Sequence, residues 1–288
     1  MKEASHITRQ RSRLTGFAAS LPLAGKIGLA LVVFWLLIAL VGPLLAPYPI
    51  GSFVTYDVFD GASARHWLGS DYLGRDVLSR LLSGARYTVG LALGAAVLAV
   101  ITGTSLALFA AVSQGWVDEV LSRFMDTLIS IPSKIFSLVM VAAFGSSLPL
   151  LLLIAAFTYV PGNYRIARSL AVNLNQMDYV QVARARGERR GYIMISEILP
   201  NMIQPLLADF GLRFMFVVLL LSGLSFLGLG VQPPNADLGS LVRENISGLP
   251  KGALAILMPA FAIATITVGA NLLIDSLPGR ARPLPVES

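Results

Sequence analysis

Few residues in this 288-residue chain have types and spacings that suit chemistry. There is no Cys, and the two His are His6 and His66. Thiolate nucleophiles, disulfides, Cys zinc sites and iron–sulfur clusters are therefore excluded, and little imidazole chemistry is left. No His-Glu-x-x-His, Gly-x-Ser-x-Gly or Gly-x4-Gly-Lys-Ser/Thr run occurs, so the signatures of zinc proteases, serine hydrolases and phosphate loops are all missing. His66, beside Trp67, suits nickel in kind but has no second ligand near it. What remains are charges in suggestive places. Asp209 and Arg213 stand four apart, Asp126 and Lys134 flank Pro132, and arginines crowd the stretch from 165 to 190.

The elements that must position these charges lie in a membrane. Lys+Arg 22 against Asp+Glu 16 gives +6, yet charged residues are only 13% of the chain and hydrophobic ones 55%, with a mean hydropathy of +0.72. A soluble domain carries roughly 25% charge. A span needs about 20 mostly apolar residues, and six segments qualify: 27–46, 88–112, 127–144 (interrupted by Pro132 and Lys134), 148–164, 214–231 and 253–277. The expected fold is all-α and polytopic. The basic leader and first apolar run read as an uncleaved span, since the run exceeds a signal-peptide core. Gly90 and Gly94 offer a small-residue packing face on the second span.

Flanking Lys and Arg set the orientation. With the N-terminus inside, the cytosolic side carries Lys2, Arg9, Arg11, Arg13, Lys26, Arg165, Arg168, Arg184, Arg186, Arg189, Arg190, Arg280 and Arg282. The outer side carries Arg65, Arg75, Arg80, Arg86, Arg243 and Lys251. Both termini are therefore expected in the cytosol. The charge excess reads as topology rather than nucleic-acid binding, because no basic stretch is interleaved with aromatics. Asp209–Arg213 is expected as an interfacial i,i+4 pair, since the clean apolar run starts only at Phe214. Asp126 and Lys134 are expected to pair between helices or to snorkel.

The long cytosolic connection holds the most organised polar sequence. Asp178 suits a helix N-cap and Gly187 a helix end. Tyr192, Ile195 and Leu199 then recur at helical spacing, and Pro200 marks entry to the next span. Ala183, Ala185 and Gly187 are small enough to let another surface approach. A two-helix elbow of this kind suits docking in a partner's groove, though from the residues alone an ordinary interfacial helix–turn–helix is the plainer reading.

This segment resembles the cytosolic signature of membrane subunits of ABC importers, in which Glu-Ala-Ala, a Gly and a Leu-Pro recur at fixed spacing. Gln181-Val182-Ala183, Gly187 and Leu199-Pro200 occupy those places, with departures at Gln181 and Val182, and with Glu197 where the family has Ile. His66-Trp67-Leu68-Gly69, Leu73-Gly74-Arg75-Asp76 through Arg80, Gly84-Ala85-Arg86, Leu224 through Pro234, and Asn271-Leu272-Leu273 with Asp275 are similar to segments of dipeptide/oligopeptide/nickel-type permeases of the second, C type. The resemblance implies a type I importer permease fold of six transmembrane helices. It divides the chain into a leader, first helix and outer loop (1–86), a five-helix core with the elbow at 178–201 (87–278) and a cytosolic tail (279–288). It implies that Tyr179, Gln181, Ala183, Arg184, Gly187, Leu199 and Pro200 form the coupling elbow. ATP and Mg would be bound by a separate cytosolic ATPase, with no cofactor in this chain. A second homologous permease, an outer-face solute-binding protein and membrane lipid are the other implied partners, in a bacterial inner membrane. Two rivals remain, a stand-alone secondary transporter and an intramembrane enzyme. The first would want charges deep in several spans and often a repeat, and the second a nucleophile–base pair at membrane depth.

Overall fold

A computed structural model describes residues 21–276. Lys2, Arg9, Arg11 and Arg13 of the leader and Arg280 and Arg282 of the tail therefore lie outside the described residues, while Lys26 falls in the first turn of the first helix. The described chain is helical, with only two isolated bridges, Phe53 to Arg75 and Ser70 to Asp76, in the loop after the first helix. The elements are α1 (Leu23–Leu45), α2 (Val77–Ser113), α3 (Gly115–Ser130), α4 (Ser133–Phe144), α5 (Leu148–Asn175) and α6 (Asp178–Ala185). They continue with α7 (Arg190–Phe226), α8 (Leu238–Glu244), a 3-10 turn (Ile246–Lys251) and α9 (Leu254–Asp275). Five helices are long and apolar enough to cross a membrane, and α3 with α4, bent by 86°, makes up to a sixth.

Several helices overrun the expected spans. α2 starts at Val77 rather than Thr88, where the Asp76 carboxylate accepts from the Ser79 N–H at 2.7 Å and caps the first turn. α5 runs on from Tyr164 to Asn175, and α7 begins at Arg190, well before the apolar run. At 1.5 Å per residue a 37-residue helix is about 55 Å long, well beyond a hydrocarbon layer of about 30 Å. Both ends of such helices stand in polar surroundings, which is why hydropathy alone misplaces them. Arg165 and Arg168, expected in a loop, therefore ride on α5. The last span ends at Asp275, close to expectation.

α2 is the axis of the bundle, touching α1, α3, α5, α7 and α8. Its packing face is an alanine seam of Ala92, Ala95, Ala96, Ala99 and Ala107, all fully buried. Between apolar helices in lipid, close approach of small residues replaces the hydrophobic drive available in water. Of the expected glycine pair, Gly94 faces Leu152 of α5 while Gly90 meets nothing within 4 Å. The tighter contact lies about two and a half turns further on, where a Cβ on Gly103 would come within 2.5 Å of Asn163 Oδ1 and 2.9 Å of the Val160 carbonyl oxygen.

The first and last helices meet. The main chain of Gly28 lies against that of Gly269 and Leu273, and the Trp35 indole N–H donates to Thr265 Oγ1 at 3.0 Å. Apart from this strip α1 is mostly exposed, burying Gly25, Gly28, Trp35 and Gly42.

At the far end of α7 from α6, the loop after α1 and the short α8 form a cap. Asp71, with no exposed surface, accepts from the Leu73 and Arg75 N–H groups, from Arg75 Nε at 2.7 Å and from Arg80 Nη1 at 2.7 Å. Glu244 Oε2 takes a second hydrogen bond from each arginine, both at 2.8 Å. Burial would lower the basicity of Arg75, but Asp71 and Glu244 outweigh it and hold the guanidinium above the ordinary arginine value. Asp237 caps α8 and accepts from Ser240 N–H and Ser225 Oγ. Burial pushes its carboxyl up against those hydrogen bonds. His66 belongs to this cap, its Nδ1 lying 3.7 Å from Asp76.

Gly103→Ala should force α2 away from α5, because the new methyl group meets main chain as well as a side chain. The expected cost is about 1–3 kcal/mol, read as a lower unfolding midpoint of the detergent-solubilised protein.

Candidate functional site

The elbow between α5 and α7 is built by backbone chemistry first. α6 has Met177 at its N-cap, so Asp178 is its first residue and favours the helix dipole from there, without a side-chain capping bond. The helix ends where Gly187 takes φ +84°. Gly187 N–H donates to the Arg184 carbonyl at 2.9 Å and Glu188 N–H to the Ala183 carbonyl at 3.2 Å. That pair of bonds is a Schellman ending, and the left-handed residue it needs is supplied by glycine. A Cβ on Gly187 would meet nothing within 4 Å, so the position faces open space.

The expected elbow residues divide into two groups. Ala183 is fully buried against this chain's own core with Val180, not held free for another surface. Its small side chain lets α6 lie close to α7 at Ile193 and Ile198. Arg184 also turns inward. Its Nη2 donates to Asn175 Oδ1 at 2.6 Å, and Asn175 Nδ2 in turn donates to the Ala111 carbonyl at the end of α2 at 2.8 Å. Gln181 Nε2 donates to the Asn175 carbonyl at 3.0 Å, closing the end of α5. Gln181 and Arg184 therefore pin the elbow to the bundle.

The outward group is Tyr179, Gly187 and Pro200, joined by Met177, Val182, Tyr192 and Ile195, all exposed. Tyr192 and Ile195 thus belong to the outer face, while Ile193, Ile198 and Met202 supply the inner one. Leu199 is half-buried. Helix α7 runs straight through Pro200 instead of starting there, with one π turn at Ile193–Ile198 just upstream. A proline lacks the N–H for the i−4 carbonyl, and the wider turn accommodates that loss. Arg186, Arg189 and Arg190 of the same elbow are exposed.

A second polar group lies inside the bundle. Asp209 is 3% exposed and forms an ion pair with Arg213 at 3.0 Å. Asn163 of α5, fully buried, donates from Nδ2 to Asp209 Oδ2 at 2.7 Å, and Thr104 of α2 donates to Asn163 Oδ1 at 3.2 Å. Arg213 lies over Gly162, where a Cβ would come within 2.6 Å of Nη1. The expected i,i+4 pair is present, and it is buried between helices. It sits where α2, α5 and α7 meet, which the apolar run starting at Phe214 did not disclose. The sequence does carry one signal of it: Asn163 and Asn175 are the buried amides of α5, at positions where apolar residues would otherwise serve.

α3 is clipped to α5 by two further pairs, Asp118 with Arg168 and Asp126 with Arg165, the latter at 3.2 Å and well exposed. Asp126 therefore pairs between helices, as expected. Lys134 is exposed at the bend.

Residues 103–283 match the family model described as "binding-protein-dependent transport system inner membrane component". The chain is 32% identical over 251 residues to the dipeptide transport system permease protein DppC of Alkalihalophilus pseudofirmus, covering 87% of this chain and 83% of that one. It is 31% identical over 247 residues to the glutathione transport system permease protein GsiD of Pectobacterium atrosepticum, covering 85% and 82%. It is 30% identical over the same length to its Escherichia coli counterpart.

Asp209→Ala should strand Arg213 and the Asn163 amide without their acceptor. The expected cost is about 3–5 kcal/mol, and Asp209→Asn, which keeps an acceptor for Asn163, should lose less. Thermal unfolding of the two variants in the same detergent checks the order.

Proposed function

The chain belongs to the family of binding-protein-dependent transport system inner membrane components, and from that premise we propose how this permease of an ABC importer is arranged and coupled. It is a C-type subunit for peptides or similar small solutes, in line with what its relatives are named for. It sits in a bacterial inner membrane with both termini and the elbow on the cytosolic side. A second homologous permease completes the pathway, and an outer-face binding protein delivers the solute. ATP and Mg are bound by cytosolic ATPase subunits, so this chain contributes no hydrolytic site. The leader, first helix and outer loop (1–86) flank a core (87–278) that carries the elbow, followed by the tail (279–288). The stand-alone transporter and the intramembrane enzyme lose their basis with the family assignment.

The observation that carries the coupling is the exposed apolar face of the elbow. Val182 is 56% and Ile195 64% exposed, and Tyr179, Tyr192, Arg186, Arg189 and Arg190 of the same elbow are exposed with them. Exposed apolar and basic residues together suit a groove of apolar floor and acidic edge. Gln181 and Arg184 hold the elbow to α5, and the π turn continues it into α7, so a displacement of the elbow moves both helices. ATP binding would then act by its different affinity for the two positions of the ATPase subunits.

Val182→Asp with Ile195→Asp should leave membrane insertion intact. It should also abolish copurification of the ATPase in mild detergent and reduce solute-stimulated ATP hydrolysis at least tenfold. Undiminished copurification would overturn the docking assignment. Gly187→Val, which strains a left-handed residue by roughly 1–2 kcal/mol, should cut transport in parallel.

A further inference from the structure

At the end of the bundle opposite the elbow, between α7, α8 and the loop before α2, lies a polar cavity of about 390 Å³. Tyr72, Gly228, Gln232, Arg243 and Glu244 are among the residues that line it. Its size falls in the range of pockets that hold small organic ligands, about 300–1,000 Å³.

Most of the polar capacity in this wall is already used. Ser225 Oγ donates to Asp237, Ser240 is engaged with Asp237 in the α8 cap, and Gln232 Nε2 donates to the carbonyls of Gly228 and Gly230. Glu244 Oε2 is held by Arg75 and Arg80. Two donors are left. Among the described residues neither the Arg243 guanidinium nor the Tyr72 hydroxyl has a hydrogen-bond or ion-pair partner. The Tyr72 ring is occupied on one face by Arg75, at 5.1 Å.

The charges point the same way. Asp71 and Glu244 answer Arg75 and Arg80 one for one. Asp237 is buried in its own hydrogen bonds to Ser225 and Ser240, and Arg243, exposed at the rim, has no carboxylate paired with it among the described residues. Its place is prepared by the backbone. Gly228, at φ +88°, lies directly beneath it, and a Cβ there would come within 2.7 Å of Cζ and Nη1. Guanidinium is suited to gripping a carboxylate through two parallel N–H groups.

We propose that this cavity is a carboxylate site at the outer mouth of the permease, in which Arg243 and Tyr72 receive the C-terminal carboxylate of the incoming peptide. The proposal rests on the peptide-importer reading above. A solute leaving its binding protein exposes a free carboxylate before it reaches the apolar pathway. A positive, pre-shaped station at the mouth offers that group a partner during the transfer. A carboxylate side chain of the binding protein has the same chemistry, and the test separates the two sources.

The complete transporter, reconstituted in proteoliposomes with its binding protein outside, is assayed for ATP-dependent uptake of alanyl-alanine by wild type, Arg243→Gln, Arg243→Lys and Tyr72→Phe. Arg243→Gln should raise KM about tenfold with kcat little changed, equivalent to about 1.4 kcal/mol. Arg243→Lys should recover part of that loss, and Tyr72→Phe should raise KM two- to threefold. Docking of the solute-free binding protein, measured separately, should be the same for wild type and Arg243→Gln. An unchanged KM overturns the site. A KM rise matched by weaker docking of the solute-free protein assigns Arg243 to the binding protein and also overturns it. If wild type itself shows no ATP-dependent uptake of any peptide, the importer reading for peptides fails instead.

Discussion

A carboxylate withdrawn from water must be answered by hydrogen bonds and a counter-charge, and at Asp209 this demand organises the bundle. The answer comes from two helices: Arg213 lies one turn along α7, and Asn163 reaches across from α5 while itself accepting from Thr104 of α2. Each partner is in place only if the three helices keep their register. A second brace lies at the elbow, where Asn175 joins α5 to the end of α2 and is gripped by Arg184 and Gln181. With two braces on α5, the helices on either side of the elbow form a stiff frame rather than two independent rods. A motion imposed at the elbow is thereby carried into the membrane.

The opposite end of the molecule is stiffened by different means. There the carboxylates of Asp71 and Glu244 cross-link the start of α2 to the end of α8 through Arg75 and Arg80. Charge is concentrated at the two ends and in one interior knot, and the remaining contacts are apolar, with alanine and glycine surfaces where the helices approach most closely. Such surfaces fix distance well and orientation poorly, and the polar braces supply what they lack.

How much of this is legible in the sequence follows from which forces leave a local trace. The count of apolar segments, the break at Pro132 and the helix end at Gly187 are local, and they read correctly. The elbow's outer face was only half visible, because Ala183 and Arg184 look like docking residues by type and turn inward by geometry. Their orientation depends on where α2 and α5 end, which no window of sequence contains. The partners of Asp209 beyond Arg213 leave no local trace for a related reason. Hydropathy measures the cost of a charge without the Asn163 that offsets it, and that partner stands 46 residues away. Helix lengths failed alike, since α5 and α7 continue past the hydrocarbon layer on packing rather than on apolar composition.

The contact between α1 and α9 also bears on how the protein is made. A chain threaded into a membrane from its N-terminus places α1 there first and α9 last, yet the strip of Gly28 and Trp35 is fitted to Gly269, Leu273 and Thr265. Until α9 is in place that strip lacks its partner, although α1 can already pack on α2. A chain that stalls before α9 therefore leaves Gly28 and Trp35 without the surface they fit, with α1 held by α2.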